Sequence, residues 1–456
     1  MLLYIVLLFL LFLIGFFVIT KVFPIISGYG AKTICSNIFL CGRLPNDIIQ
    51  KELGAFPLNL GRYTIDKQEK SVTGTVRGMA KRKAIYREGL GATLMIGVNE
   101  QELIEQASTI EPRPVINSSS ENWANGISSK TTVNAGINTK QLNAALDEAF
   151  DDAEGERGTR AVVVLYEGEI IAERYANGFS RQSKLAGWSM AKSITSALIG
   201  ILVKQNKLQI DAPAPIKEWK NDERRNITIA NLLQMSSGLN WWEYYAAPSD
   251  ATNMLYREKE MGRFALHKKL QHPPGSKFYY SSGSTNILSY IIRQVVGEAN
   301  YYRFPYEQLF HKIGMNDTVL EVDAGGTFAA SSYCFATALD WAKFGLLYLQ
   351  DGVWNGERIL PVGWVNFTTT PTTAKTTKKE GSYGAQWWLN KATIHAPKKY
   401  PLVPDDCFRC QGYEGQYVWV IPSEKLVVVR LALEKGNELD PNTFLPAVIS
   451  ACKDPK

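Results

Sequence analysis

Histidine is scarce and dispersed in this chain: His267, His272, His311 and His395 are the only four in 456 residues. None stands in a recognisable triad context, and no two have the spacing that sets a pair of imidazoles on a zinc ion. The nucleophile elbow of other hydrolases is missing too, because Gly187-Trp-Ser-Met-Ala191 lacks its second glycine. Charge of one sign is not massed: a net +6 is spread over 50 basic and 44 acidic residues, which excludes the basic stripe of a nucleic-acid binder. Cysteine is sparse as well. Of the six, Cys407-Phe-Arg-Cys410 has metal-like spacing, but neither a second pair nor a histidine cluster accompanies it, so no metal and no cofactor are expected. No internal repeat is visible.

What the chain does have, at its start, is an apolar run. Leu2 to Ile19 carries no charge and ends at Lys21, just long enough to cross a bilayer as a helix. It lacks a basic n-region and a nearby small-x-small cleavage site, so an uncleaved anchor is expected rather than an export signal. Lys21, Lys32 and Arg43 behind it would bias the body inward, so the orientation stays open; the expectation carried forward is a membrane contact through residues 2–20 with the catalytic domain on the periplasmic or extracellular side. The chain then divides into the anchor (1–21), a mixed segment with no assignable chemistry (22–110), a Pro-, Ser-, Asn-, Gly- and Thr-rich linker (111–139) and a compact unit (140–456). With 45% hydrophobic and 21% charged residues the chain can bury a large core.

Within the compact unit, Gln141 to Asp151 reads as a helix. The segments 161–166 and 169–175 flank Glu167-Gly168 as an antiparallel hairpin, and 417–421 and 426–430 form another at the far end. Most segments between them read as helical. The expected fold is α+β: an antiparallel sheet formed from both chain ends, packed with helices, plus a mainly helical domain and the N-terminal transmembrane helix.

The candidate chemistry lies at Gly187 to Gly200. Ile194, Leu198 and Ile201 recur at helical spacing, and Ser189 stands at the helix start, where backbone amides lack intrahelical partners and favour an oxyanion. Lys192, three residues on, is beside the Ser189 hydroxyl and could serve as its base in a dry site. A serine before a helix is often only a cap, so later stretches must support the reading. The loop Asn240-Trp-Trp-Glu-Tyr-Tyr245 is suited to lining a pocket; its tryptophans read as core, while Tyr244 and Tyr245 carry polar tips that a substrate could use. In Pro273-Pro-Gly-Ser-Lys-Phe-Tyr-Tyr280-Ser-Ser282, Tyr280 is placed to shuttle a proton between Ser189 and a leaving group, with Ser282 and Lys192 holding it.

Seven stretches occur together in one order: Ser189-Met-Ala-Lys192, Leu232-Leu-Gln-Met-Ser-Ser-Gly-Leu239, Pro274-Gly-Ser-Lys-Phe-Tyr-Tyr280-Ser-Ser282, Gly314-Met315, Asp340-Trp-Ala-Lys-Phe-Gly345, Tyr383-Gly-Ala-Gln-Trp-Trp388 and Gly412-Tyr-Glu-Gly-Gln416. From about residue 140 to 435 the chain resembles the serine hydrolases of the β-lactamase and penicillin-binding fold, most closely the class C β-lactamase-like esterases and amide hydrolases that include 6-aminohexanoate-dimer hydrolase. The resemblance implies acylation of Ser189, proton handling by Lys192 and Tyr280, an oxyanion hole from the amides of Ser189 and Tyr413, and substrate contacts at Tyr244, Tyr245, Ser282 and Gly412. Two departures matter. Tyr280-Ser-Ser282 stands where β-lactamases carry Tyr-x-Asn, and no Lys-Thr-Gly triplet is present, which weakens the case for binding a β-lactam carboxylate. The expected substrate is a small-molecule amide or ester; the alternatives are a penicillin-recognising cell-wall peptidase or β-lactamase, and a catalytically silent binding or scaffold protein of the same fold. Oligomeric state is not legible.

Overall fold

The computed structural model describes residues 4, 6–7, 13, 15–108, 136–152, 155–377 and 380–453. Most of the expected linker, residues 111–135, lies outside them, as do residues 2–3, 5, 8–12 and 14 of the apolar run. Among the described residues no helix is long and apolar enough to cross a membrane, so the expected anchor and its periplasmic or extracellular placement have no structural support.

Helix α1 (Phe23–Cys35) lies between π-type turns at Val18–Val22 and Ser36–Leu40 and is buried along most of its length. It packs on an antiparallel sheet of β1 (Gly61–Asp66), β2 (Ser71–Val76), β3 (Met79–Arg87) and β4 (Gly91–Leu94). Glycine at position 30 permits this approach, since a Cβ there would lie 1.9 Å from the Tyr63 hydroxyl oxygen. The segment 22–108 is therefore a folded unit, and it is tied to the rest of the chain by a buried ion pair. Lys32 meets Glu321, which also accepts from Ser36 Oγ at 3.0 Å and from the Ala92 amide at 2.7 Å. An isolated buried charge would be costly; these donors make burial of Glu321 tolerable.

In the compact unit, β5 (Thr159–Tyr166) and β6 (Glu169–Tyr175) form the first hairpin. The later strands are β7 (Ser382–Tyr383), β8 (Trp388–Leu389), β9 (Phe408–Gly412), β10 (Gln416–Ile421) and β11 (Leu426–Ala432). They make one antiparallel sheet in the order β7-β8-β9-β10-β11-β5-β6, in which Val428 of β11 pairs with Val164 of β5, so the two ends of the compact unit meet within it. Alternation with period two divides the faces. Val162 and Val164 pack under α2 (Thr139–Phe150) against Leu142, Leu146 and Phe444, whereas Val163 and Leu165 join the main core. That core is filled by α3 (Ala191–Lys204), α4 (Ser282–Val296) and α5 (Ala338–Leu349), while α6 (Pro441–Lys453) returns to pair with α2. The fold is α+β, as the two hairpins imply.

Candidate active site

The site is assembled where α3, α4 and the end of β9 converge. α3 is buried from Ala191 through Leu202, so its polar side chains must find partners: Ser193 Oγ donates to the Gln386 carbonyl at 2.7 Å and Thr195 Oγ1 to the Ala330 carbonyl at 3.0 Å. These bonds fix the helix rotation. Just before it, Trp188–Met190 forms a 3-10 turn, so Ser189 lies on that turn two residues ahead of α3. Trp188 adopts φ +47°, a left-handed conformation that costs a non-glycine residue about 1–3 kcal/mol. The Gly187 amide, bonded to the Cys334 carbonyl at 2.8 Å, helps to hold the turn.

Lys192 projects from the first turn of α3 and is 1% exposed. Its Nζ donates to Ser189 Oγ at 3.0 Å, Ser282 Oγ at 3.0 Å and the Ser331 carbonyl at 2.9 Å. Burial pushes its amine down to about 8, an effect opposed by the negative charge of Glu243. Tyr280 lies close to Ser189, and burial raises its phenol well above the usual range, so the hydroxyl keeps its proton. Its ring is clamped by Trp388, stacked at 5.4 Å, and by Tyr383 edge-on at 6.1 Å; the Lys192 Nζ lies 4.9 Å from the ring centroid.

Ser282 opens α4 and is fully buried, with Lys192 and Glu243 as its side-chain partners. Glu243 is the residue that sequence reasoning passed over. Its Oε1 accepts from Ser282 Oγ at 2.5 Å and from Tyr245 hydroxyl at 2.6 Å, and its Oε2 accepts from the Ser282 amide at 2.8 Å and Trp241 Nε1 at 2.6 Å. A carboxylate inside an aromatic run was the available signal, because such a charge needs several donors before it can face a site. In the same loop Trp241 is core, at 6% exposed, whereas Trp242 is 52% exposed and stacks on Tyr244 at 5.7 Å. Tyr245 also lies 3.2 Å from Ser282 Oγ.

On the opposite wall the end of β9 passes the Ser189 turn. A Cβ at position 412 would sit 2.1 Å from the Gly187 carbonyl oxygen, so only glycine allows this approach. Tyr413 follows, 61% exposed, its ring edge-on to Trp188 at 6.0 Å. Next in the chain is Glu414, at φ +62°, and burial raises its carboxyl to about 7.

Elsewhere, Cys407 and Cys410 are free and buried; burial pushes Cys407 up to about 12 and Cys410 higher still, away from the thiolate that binds metals. Among the described residues no group of His, Cys, Asp and Glu is placed to hold a metal ion.

A buried lysine within hydrogen-bond reach of a serine on a strained turn, beside an antiparallel sheet edge, is the arrangement of a serine hydrolase of the β-lactamase fold. The beta-lactamase family model matches residues 143–444, and the chain belongs to that family of serine hydrolases. Among curated proteins the chain is similar to 6-aminohexanoate-dimer hydrolase of Paenarthrobacter ureafaciens, 25% identical over 328 residues, which cover 64% of this chain and 80% of that protein. Among solved structures it shares its fold with a penicillin binding protein from Bacillus halodurans (17% identity, TM-score 0.51, covering 68% of this chain and 99% of that one). It likewise resembles EstCE1, a hydrolase with promiscuous acyltransferase activity (15% identity, TM-score 0.55, covering 69% and 98%).

Proposed function

We propose that the protein hydrolyses an amide or ester through an acyl-enzyme on Ser189, with Lys192 and Tyr280 exchanging the protons. The observation that carries this reading is the contact of Lys192 Nζ with Ser189 Oγ at 3.0 Å by an amine that burial has pushed down to about 8. In its neutral form that amine accepts the Ser189 proton as Oγ attacks the substrate carbonyl carbon. The oxyanion is received by the backbone amides of Ser189 and Tyr413, and Tyr280, which retains its proton, donates it to the departing oxygen or nitrogen. Water then attacks the acyl carbon, the same groups act in reverse, and the carboxylic acid leaves. Ser282 passes the Glu243 charge to Lys192, and Tyr244 and Tyr245 border the substrate. The absence of Lys-Thr-Gly, together with the amide-hydrolase relative, favours a linear amide or ester over a β-lactam.

Steady-state hydrolysis of a p-nitrophenyl ester and a linear amide, run beside penicillin labelling, tests the proposal. Turnover of the ester or amide, lost in Lys192→Met, is the expected result. Stable labelling by penicillin without turnover of either substrate would contradict it.

A further inference from the structure

Ser189 opens onto a cavity of about 520 Å³ that the proton-transfer groups do not use. Val22, Ile25, Ile26 and Tyr29 line it from one side, a spacing that turns a single face of the N-terminal helix toward the space. Ala55, Phe56 and Leu58 line it from a second segment, and Trp188 and Leu255 complete the apolar lining. Phe56 is 79% exposed, so the mouth is apolar as well. An open apolar hollow of this size beside a nucleophile is costly unless something fills it.

The origin of the wall matters. Residues 22 to 58 lie outside the 143–444 segment matched by the family, so the N-terminal unit supplies to this family site a surface that the matched segment does not contain. The Lys32–Glu321 pair, one turn and more along the same helix, locks that wall in place.

We propose that this cavity is an acyl-chain site, and that the preferred substrates are esters or amides of a medium to long unbranched aliphatic acid whose carbonyl lies at Ser189. The proposal rests on the hydrolase reading given above. At roughly 30 Å³ for a group the size of water, the cavity's 520 Å³ amounts to roughly seventeen such groups, room for a medium to long alkyl chain. The apolar wall discriminates by chain length, gaining at most roughly fourfold per buried methylene.

The test is kcat/KM for p-nitrophenyl acetate, butyrate, octanoate and dodecanoate, each below its micellar concentration, in wild type, Ile25→Trp and Ala55→Trp. The expected result is a rise of at least a hundredfold from acetate to octanoate in wild type, and a dodecanoate-to-acetate ratio at least tenfold lower in both variants, whose added rings fill the cavity. A flat or falling profile in wild type, or an unchanged ratio in both variants, would overturn the chain-length proposal while leaving the hydrolase standing. Presenting the dodecanoate ester in phosphatidylcholine vesicles separates a free amphiphile from one drawn out of a bilayer, by whether the rate follows ester in solution or ester at the surface. Dodecanoate binding to Ser189→Ala, measured by calorimetry, keeps the two readings apart if no ester turns over. Micromolar binding, weakened tenfold when Ile25→Trp is added, upholds the cavity without the hydrolase; no binding removes both.

Discussion

Substituting Glu243→Gln changes one charge and almost no volume, and the geometry fixes the direction of its effect. Glu243 Oε1 and Lys192 Nζ both bond Ser282 Oγ, at 2.5 and 3.0 Å, so the two charges are at most about 5.5 Å apart. With an effective dielectric of about 20, a pair at about 5 Å is worth about 3 kcal/mol, or about two pKa units of support for the ammonium. Removing the negative charge disfavours the protonated amine, so the Lys192 pKa falls further below its present value of about 8. The neutral amine is the base, hence activity rises with pH through that pKa, and the variant gains its base at lower pH. The glutamine can still accept from the Ser282 amide and Trp241 while its amide group faces the Ser282 and Tyr245 hydroxyls, which conserves the local packing. The assay is kcat/KM for an activated ester between pH 5 and 9. The ascending limb should move from a midpoint near 8 to one near 6. An unmoved midpoint, or one displaced upward, would refute the assignment of Lys192 as the base under the influence of Glu243.

Two further outcomes follow from the same geometry. Tyr280→Phe keeps the ring between Trp388 and Tyr383 but removes the proton donor, so kcat should fall by roughly 10²–10⁴ with the melting temperature unchanged; activity within tenfold of wild type would contradict a role in proton transfer. Lys32→Met leaves Glu321 buried without its counter-charge, at a cost of about 3–5 kcal/mol, which should lower the melting temperature measured by circular dichroism by roughly 3–5 °C; Lys32→Met/Glu321→Gln should recover most of it, and an unchanged single variant would refute the docking role of the pair.

Legibility in the sequence followed the range of the interactions. The two hairpins are local: an apolar run rich in β-branched residues on each side of a two-residue turn defines β5 and β6 without reference to the rest of the chain. Ser189 and Lys192 are three residues apart, so helical geometry alone brings them together. Glu243 was passed over because its significance arises across 39 residues, at Ser282, and only the fold makes that contact. The segment from 22 onward was opaque for a similar reason. α1 stands in a mixed segment that carries no readable chemistry, and its one buried charge, Lys32, has its partner 289 residues away. The expected membrane span came from apolar length alone, which describes a spanning helix and a helix buried against a domain equally well. α1, which begins at Phe23 beyond that run, is itself buried, packing on β2 and β3.

The central claim is that Ser189 forms a covalent acyl-enzyme, and intact-protein mass spectrometry of the full chain mixed with an activated ester, for wild type and Ser189→Ala, tests it most directly. The expected result is a mass gain of one acyl group confined to wild type and located, after proteolysis, on the peptide that contains Ser189. Equal labelling of both proteins, or labelling of neither across several acyl donors, would contradict it.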